Sequence, residues 1–156
     1  MCLVADIKLS ENFWDKEKYK GKTFAYFNKL YLISSSYKGL VSPYRKTEVK
    51  WGEFISSRRN QKIGKDAYDS QYDALLCYVY RGIHVIYTEK ERWSWIRDIK
   101  NHASVAGEHI ITVEVRCYKK DFVGCDGVGN AVFTKVHMSR AEYRKAMKKR
   151  REIKCV

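Results

Sequence analysis

Residues 109–118, His-Ile-Ile-Thr-Val-Glu-Val-Arg-Cys-Tyr, decide the fold class. Ile111, Val113, Val115 and Cys117 fall on one side of a period-two pattern, with Thr112, Glu114 and Arg116 on the other. Alternation of this kind, rich in β-branched residues, predicts a strand with one face on a core. Downstream, Gly124-Cys125-Asp126-Gly127-Val128-Gly129-Asn130 has the chemistry of a turn, and 131–137 (AVFTKVH) reads as the strand returning from it. The expectation is an antiparallel pairing of 109–118 with 131–137.

Beyond this hairpin, Ser139-Arg140-Ala141-Glu142 has the form of a capping box, and Met138 before it is placed to pack on Tyr143. A helix over 139–153 follows. Thr88-Glu89-Lys90-Glu91 is a second capping box and opens a helix over about 88–100 carrying Trp93, Trp95, Ile96 and Ile99. Tyr68, Tyr72, Leu75, Leu76 and Val79 lie at helical spacing, which predicts a third helix over 66–79, ended by Gly82. Strands are expected at 2–9, at 23–33 (TFAYFNKLYLI), in the extended segment entered at Leu40-Val41-Ser42-Pro43-Tyr44, over Glu48–Phe54, and at Ile83–Tyr87. Residues 10–22 read as a loop or short helix, and 56–65 as a polar, basic loop. No repeat or boundary divides the chain. The fold class is α+β: a single domain over 1–156, with an antiparallel sheet, two or three packed helices and a basic helix at 139–156.

At 156 residues with 45% hydrophobic and 14% aromatic residues, the chain is long enough for one domain with a substantial core and too short for two ordinary ones. No stretch approaches the length needed to span a bilayer, and Met1–Asp6 lacks the basic start of a signal peptide. Cys2, Cys77, Cys117, Cys125 and Cys155 form an odd set without a CxxC couple, so neither a zinc site nor a disulfide scaffold is expected. The reading is of a reduced, soluble, cytoplasmic protein without a cofactor or membrane association. Nothing in the sequence sets its oligomeric state.

Charge carries most of the functional information. Lys and Arg number 31 against 18 acids, a net of +13, which favours polyanionic partners. Residues 139–156 alone hold eight cations and two acids, a net of +6. Arg144, Lys148 and Arg151 share one helix face at i, i+4 and i+7. Arg140, Arg144, Lys145, Lys148, Lys149 and Arg151 are therefore the candidate contacts to nucleic acid or an acidic host protein, supported by Arg58, Arg59 and Lys62 in the 56–65 loop. Tyr19, Tyr37, Tyr44 and Trp51, each near basic residues, are candidates for stacking on bases. Cations at a helix C-terminus also suit the macrodipole, which gives part of the run a local explanation.

Catalytic patterns are weaker. His102-Ala103-Ser104 and His137-Met138-Ser139 form two H-x-S triplets, the pattern in which paired imidazoles flank a phosphodiester, but that chemistry needs both triplets on strands facing one cleft. Ser139 is better explained as a helix cap. Glu48-Val49-Lys50 is an ExK half-motif with no convincing partner Asp, His84 reads as a core histidine, and Cys125 as an accessible thiol without an activating base. No catalytic residue is assigned.

The order Leu40-Val41-Ser42-Pro43-Tyr44, Trp51-Gly52, Gly82-Ile83-His84-Val85, Ile111-Thr112-Val113-Glu114-Val115, Asp121-Phe122-Val123 and Ala131-Val132-Phe133-Thr134-Lys135-Val136 resembles a group of small uncharacterised proteins of tailed bacteriophages and bacteria. The resemblance covers about residues 24–138 and implies no activity. It implies a setting: a phage accessory gene, whose product works in the host cytoplasm and binds nucleic acid, host machinery or a defence component. The expected function is thus non-enzymatic binding of nucleic acid or a nucleic-acid-containing host complex. The alternatives are an inhibitor docking on a host nuclease or defence effector, and a nucleotide-directed phosphodiesterase or transferase.

Overall fold

A computed structural model describes residues 3–55, 76–79, 82–102 and 108–154. The chain runs β1 (Leu3–Asp6), α1 (Ile7–Glu11), a 3-10 turn (Phe13–Asp15), β2 (Phe24–Ser34), β3 (Leu40–Val41), β4 (Glu48–Val49) and β5 (Gly52–Ile55). It continues through β6 (Leu76–Val79), β7 (Ile83–Ile86), α2 (Glu89–His102), β8 (Glu108–Tyr118), a 3-10 turn (Lys119–Asp121), β9 (Phe122–Cys125), β10 (Asn130–Phe133), β11 (Lys135–Met138) and α3 (Arg140–Lys154). The α+β class, the antiparallel sheet and the C-terminal helix are those the sequence predicts. Among the described residues, no helix is long and apolar enough to cross a membrane.

The main sheet has the order β5-β11-β8-β2-β7-β10-β9, with β3 and β4 added beside β2, and every pairing is antiparallel. Its spine is β2 against β8, in unbroken register from Phe24↔Tyr118 to Ser34↔Glu108. Three strands, β7, β2 and β8, separate β10 from β11, which would put them about 19 Å apart in a flat sheet at about 4.8 Å per strand. Yet Thr134 is the only residue between them, and so short a link spans no more than about 7 Å. The sheet must therefore curl until its two sides meet at Thr134, making a barrel-like wall of β11, β8, β2, β7 and β10, which among the described residues no hydrogen-bonded strand pair closes. A register shift between Val132 and Phe133 in the β9–β10 pair, just before the corner, adds the local twist that such a turn needs.

The inward faces of that barrel form one core of Ala25, Phe27, Tyr31, Ile33, Val85, Ile111, Val113, Val115, Cys117, Ala131, Phe133, Val136 and Met138. Phe13, Trp14 and Tyr19 join this core, Phe13 stacking on Tyr19 and Phe122 at 4.9 Å each. At a different place along the strands, Ala146 of α3 joins it, with Tyr143 and Met147 packed alongside. A second core forms outside the wall, where Ile96 and Ile99 of α2 cover Leu30, Leu32, Val41 and Ile86. This explains the burial along β2. It alternates up to Phe27 and is continuous from Leu30, where α2 covers the outer face.

Four expectations need correction. The strand expected over 2–9 stops at Asp6, whose carboxylate accepts the Leu9 N–H at 2.9 Å and starts α1. Residues 10–22, expected as a loop or short helix, do hold the end of α1, a 3-10 turn and a loop, and they also supply Phe13, Trp14 and Tyr19 to the core. Glu48–Phe54 is two short strands, broken at Lys50–Trp51 before Gly52, whose φ of 123° glycine tolerates best. Leu76–Val79 is not the end of a helix. It is a strand pairing with β1 from Leu3↔Val79 to Asp6↔Leu76, while 66–75 lies outside the described residues. The glycine-rich turn joins β9 to β10 rather than β8 to its neighbour; beyond Thr134 the returning segment changes partners, and β11 is the part that meets β8, at His137↔Arg116.

Candidate nucleic-acid interface

Both predicted caps form. Thr88 Oγ1 accepts the Glu91 N–H at 3.3 Å, and Ser139 Oγ accepts the Glu142 N–H at 3.1 Å. In neither does the glutamate turn back to its own cap. Glu91 accepts from Asn130 Nδ2 at 2.8 Å, and Glu142 accepts the Glu114 backbone N–H at 3.3 Å. The second bond matters for the site. β11 pairs with β8 only beside Arg116, and α3 continues along β8 as far as Glu114, supplying that acceptor. At its far end Arg150 Nε donates to Ser34 O at 3.1 Å.

This docking uses one face of α3: Glu142, Tyr143, Ala146, Met147 and Arg150. The opposite face is left to solvent. Arg140, Arg144, Lys145, Lys148, Lys149 and Arg151 are all exposed, and none forms an ion pair among the described residues. Arg140 lies 5.4 Å from the ring of Trp51, itself half exposed. Six of the predicted contacts thus share one exposed helix face. Arg58, Arg59 and Lys62 lie outside the described residues.

Of the four aromatics expected to stack on bases, Trp51 alone sits at this face. Tyr19 is in the core, Tyr37 packs beside the α2 cluster, and Tyr44 donates its hydroxyl to Asp98. The catalytic patterns fare no better. Ser139 Oγ is taken up by its cap, and His102 ends a helix rather than lying on a strand. Glu48 accepts the Lys38 N–H at 3.1 Å, and among the described residues no group of three His, Cys, Asp or Glu could hold a metal ion. Cys125 is not an accessible thiol. It is buried in β9, where desolvation raises its pKa and Ser10 Oγ accepts its backbone N–H at 2.9 Å.

Compared with known proteins, the chain matches no family, no curated protein and no solved structure.

Proposed function

We propose that this chain is a non-enzymatic binding protein that takes nucleic acid, or a host complex containing it, on the exposed face of α3. The observation that carries the reading is the division of the helix into a docked face and a cationic one. The docked face fixes the helix on the barrel, so the cations opposite keep their spacing and add to a common potential, where a frayed tail would average them out. Lysine and arginine without carboxylate partners among the described residues meet phosphates without breaking a pair seen there. The resemblance of its motif order to that of small phage proteins is in keeping with an accessory role in a host cytoplasm.

Replacing Arg144, Lys148 and Arg151 by Glu tests it, with binding to random duplex DNA and to RNA followed across salt. The parent should lose affinity by about 0.9 log units per log unit of salt for each phosphate contact. The triple variant should bind orders of magnitude more weakly, with the salt slope reduced by about 3. Equal binding by parent and variant would reduce α3 to a solvated terminus. A parent with no affinity for nucleic acid that still retains a host protein after nuclease treatment would instead favour the docking inhibitor.

A further inference from the structure

The outer wall of the barrel is only partly covered. α2 shields Leu30, Leu32 and Ile86, and Arg92 Nη1 reaches Thr112 Oγ1 at 2.9 Å, but among the described residues nothing covers the other half of β2 and β8. There Phe24 and Tyr26 are 38% and 56% exposed, and their outward neighbours across the register are Tyr118 and Arg116. Exposed apolar side chains gathered into one patch, unlike ones scattered singly, mark interaction surfaces.

Four side chains make a cluster in which the Tyr26 ring stands edge-on to Phe24, at 87°, and the Tyr118 ring is tilted against it by 55°. The Phe24 ring lies 6.0 Å from Tyr26 and 5.9 Å from Tyr118. The Arg116 guanidinium sits 5.9 Å from the Phe24 ring and 5.4 Å from that of Tyr118, and Lys120 is 5.6 Å from the latter. Arg116 Nε is covered yet has no hydrogen-bond partner, and its guanidinium has no ion pair among the described residues. Among the described residues, packing against the Phe24 and Tyr118 rings is what holds it. Depressions flank the cluster: one includes Lys18, Lys22 and Glu114, the other Lys120, Lys135 and His137 with Glu53 and Asp121. Of these cations Lys135 is paired, with Glu53 at 3.5 Å.

We infer that this open wall is a stacking platform for unpaired bases, so that the nucleic acid this protein takes is single-stranded. The inference rests on the nucleic-acid reading above and names its substrate class. Bases need exposed π-faces, which Phe24 and Tyr26 offer beside the half-buried Tyr118, and the connecting phosphates need cations at the margins, which Lys18, Lys22, Arg116 and Lys120 offer. A duplex hides its base faces and gains nothing from such a wall. The path also continues: His137 on β11 is two residues from Ser139, where α3 and its cations begin.

The test compares the full chain on labelled oligothymidylate of about 12 nucleotides, its RNA counterpart, an abasic strand of the same length and a duplex. The parent should bind either base-bearing strand at least about tenfold more tightly than the abasic one, since each stacked base contributes roughly fivefold or more. Whichever of the DNA and RNA strands binds more tightly identifies the source of the bases. Tyr26→Thr with Tyr118→Thr, which keeps strand propensity, should erase the preference while leaving duplex binding unchanged. The α3 triple variant should do the reverse, weakening the duplex and preserving the ratio of base-bearing to abasic binding. A parent that binds abasic and base-bearing strands alike overturns the platform even if the tyrosine variant fails to fold. Loss of duplex binding in the α3 variant, from a parent that does not distinguish abasic from base-bearing strands, would leave the first proposal standing on its own.

Discussion

Burial lowers the pKa of the Lys29 ammonium to about 8, partly offset by the nearby Cys117 thiol. Its position on β2 lies between the inward-facing Phe27 and Tyr31, and its Nζ donates to His84 O at 2.9 Å. Unfolded, the same group titrates near 10.5. Between these values the unfolded chain binds more protons than the folded one, so this residue's contribution to stability rises with pH and is least favourable below pH 8. The buried Cys117 and Cys125, and then Tyr31 and Tyr87, have raised pKa values and act in the opposite sense once pH passes their unfolded values. A difference measurement against Lys29→Met cancels those groups. In urea titrations the parent should gain about 3 kcal/mol on the variant between roughly pH 7.5 and 10.5; a difference that does not move with pH would show that the ammonium is hydrated in the folded protein.

Gly129 raises a second question at this scale. At a φ of 133° it lies against the start of α2, where an added Cβ would collide with Thr88 Oγ1 and come within 2.8 Å of Glu91 Cβ. Around it Asp126 Oδ1 accepts the N–H groups of Val128, Gly129 and Asn130, and Trp95 Nε1 donates to Asn130 Oδ1 at 2.7 Å. Gly129→Ala should cost about 2–3 kcal/mol from strain and overpacking combined. That is a melting temperature lower by roughly 5–10 °C. Gly52, at a φ of 123° with nothing within 4 Å of its Cβ position, is the control that isolates the backbone part.

Among the elements, α3 depends on both its cap and its docked face. Ser139→Ala removes the acceptor for the Glu142 N–H and should cost about 1 kcal/mol, read as a lower denaturation midpoint. Because Glu142 is the same residue that meets β8, a frayed first turn also releases the Glu114 N–H. The variant should therefore bind polyanions less tightly although it keeps every cation. Unchanged binding would mean that the cations work equally well on an unravelled segment.

Elements with a clear period or a cap were legible in the sequence: β2, β7, β8, α2 and α3 all stand close to where the pattern puts them. The cationic face of α3 was legible too, since i, i+4, i+7 spacing survives any docking that leaves it outward. What could not be read depends on partners far away in sequence. Phe13, Trp14 and Tyr19 sit in a run that looks polar, because the core they fill is built by strands that come later. Leu76–Val79 follows a helical stripe but finds a backbone partner in β1. Phe24 and Tyr26 have the look of core residues in an aromatic strand. Only the extent of α2 over the wall decides that Leu30 and Leu32 are covered and these two are not.

Over the whole molecule, the spine pairs residues 24–34 with 108–118, so its first contact must close a loop of more than 70 residues. Non-local pairing of this kind makes for slow folding, in the millisecond-to-second range or beyond. Stopped-flow refolding should show no microsecond phase that accounts for the full signal. The two proposed surfaces also divide the molecule, α3 serving phosphates in any strand form and the open wall serving bases. A bound strand that engaged both would combine a strongly salt-dependent contribution with one that salt scarcely touches.

The corner at Thr134 has a further consequence. In a barrel sealed by a ladder of hydrogen bonds, one strand can slip by two residues and still present the same side chains inward. Here the seam is the polypeptide itself, with a single residue of slack between β10 and β11. If β11 slid along β8, it would have to drag β10 along β7, and the misalignment would be felt on both sides of the barrel at once. Thr134 thus works as a ruler: the covalent chain measures the circumference and rejects every alignment but one.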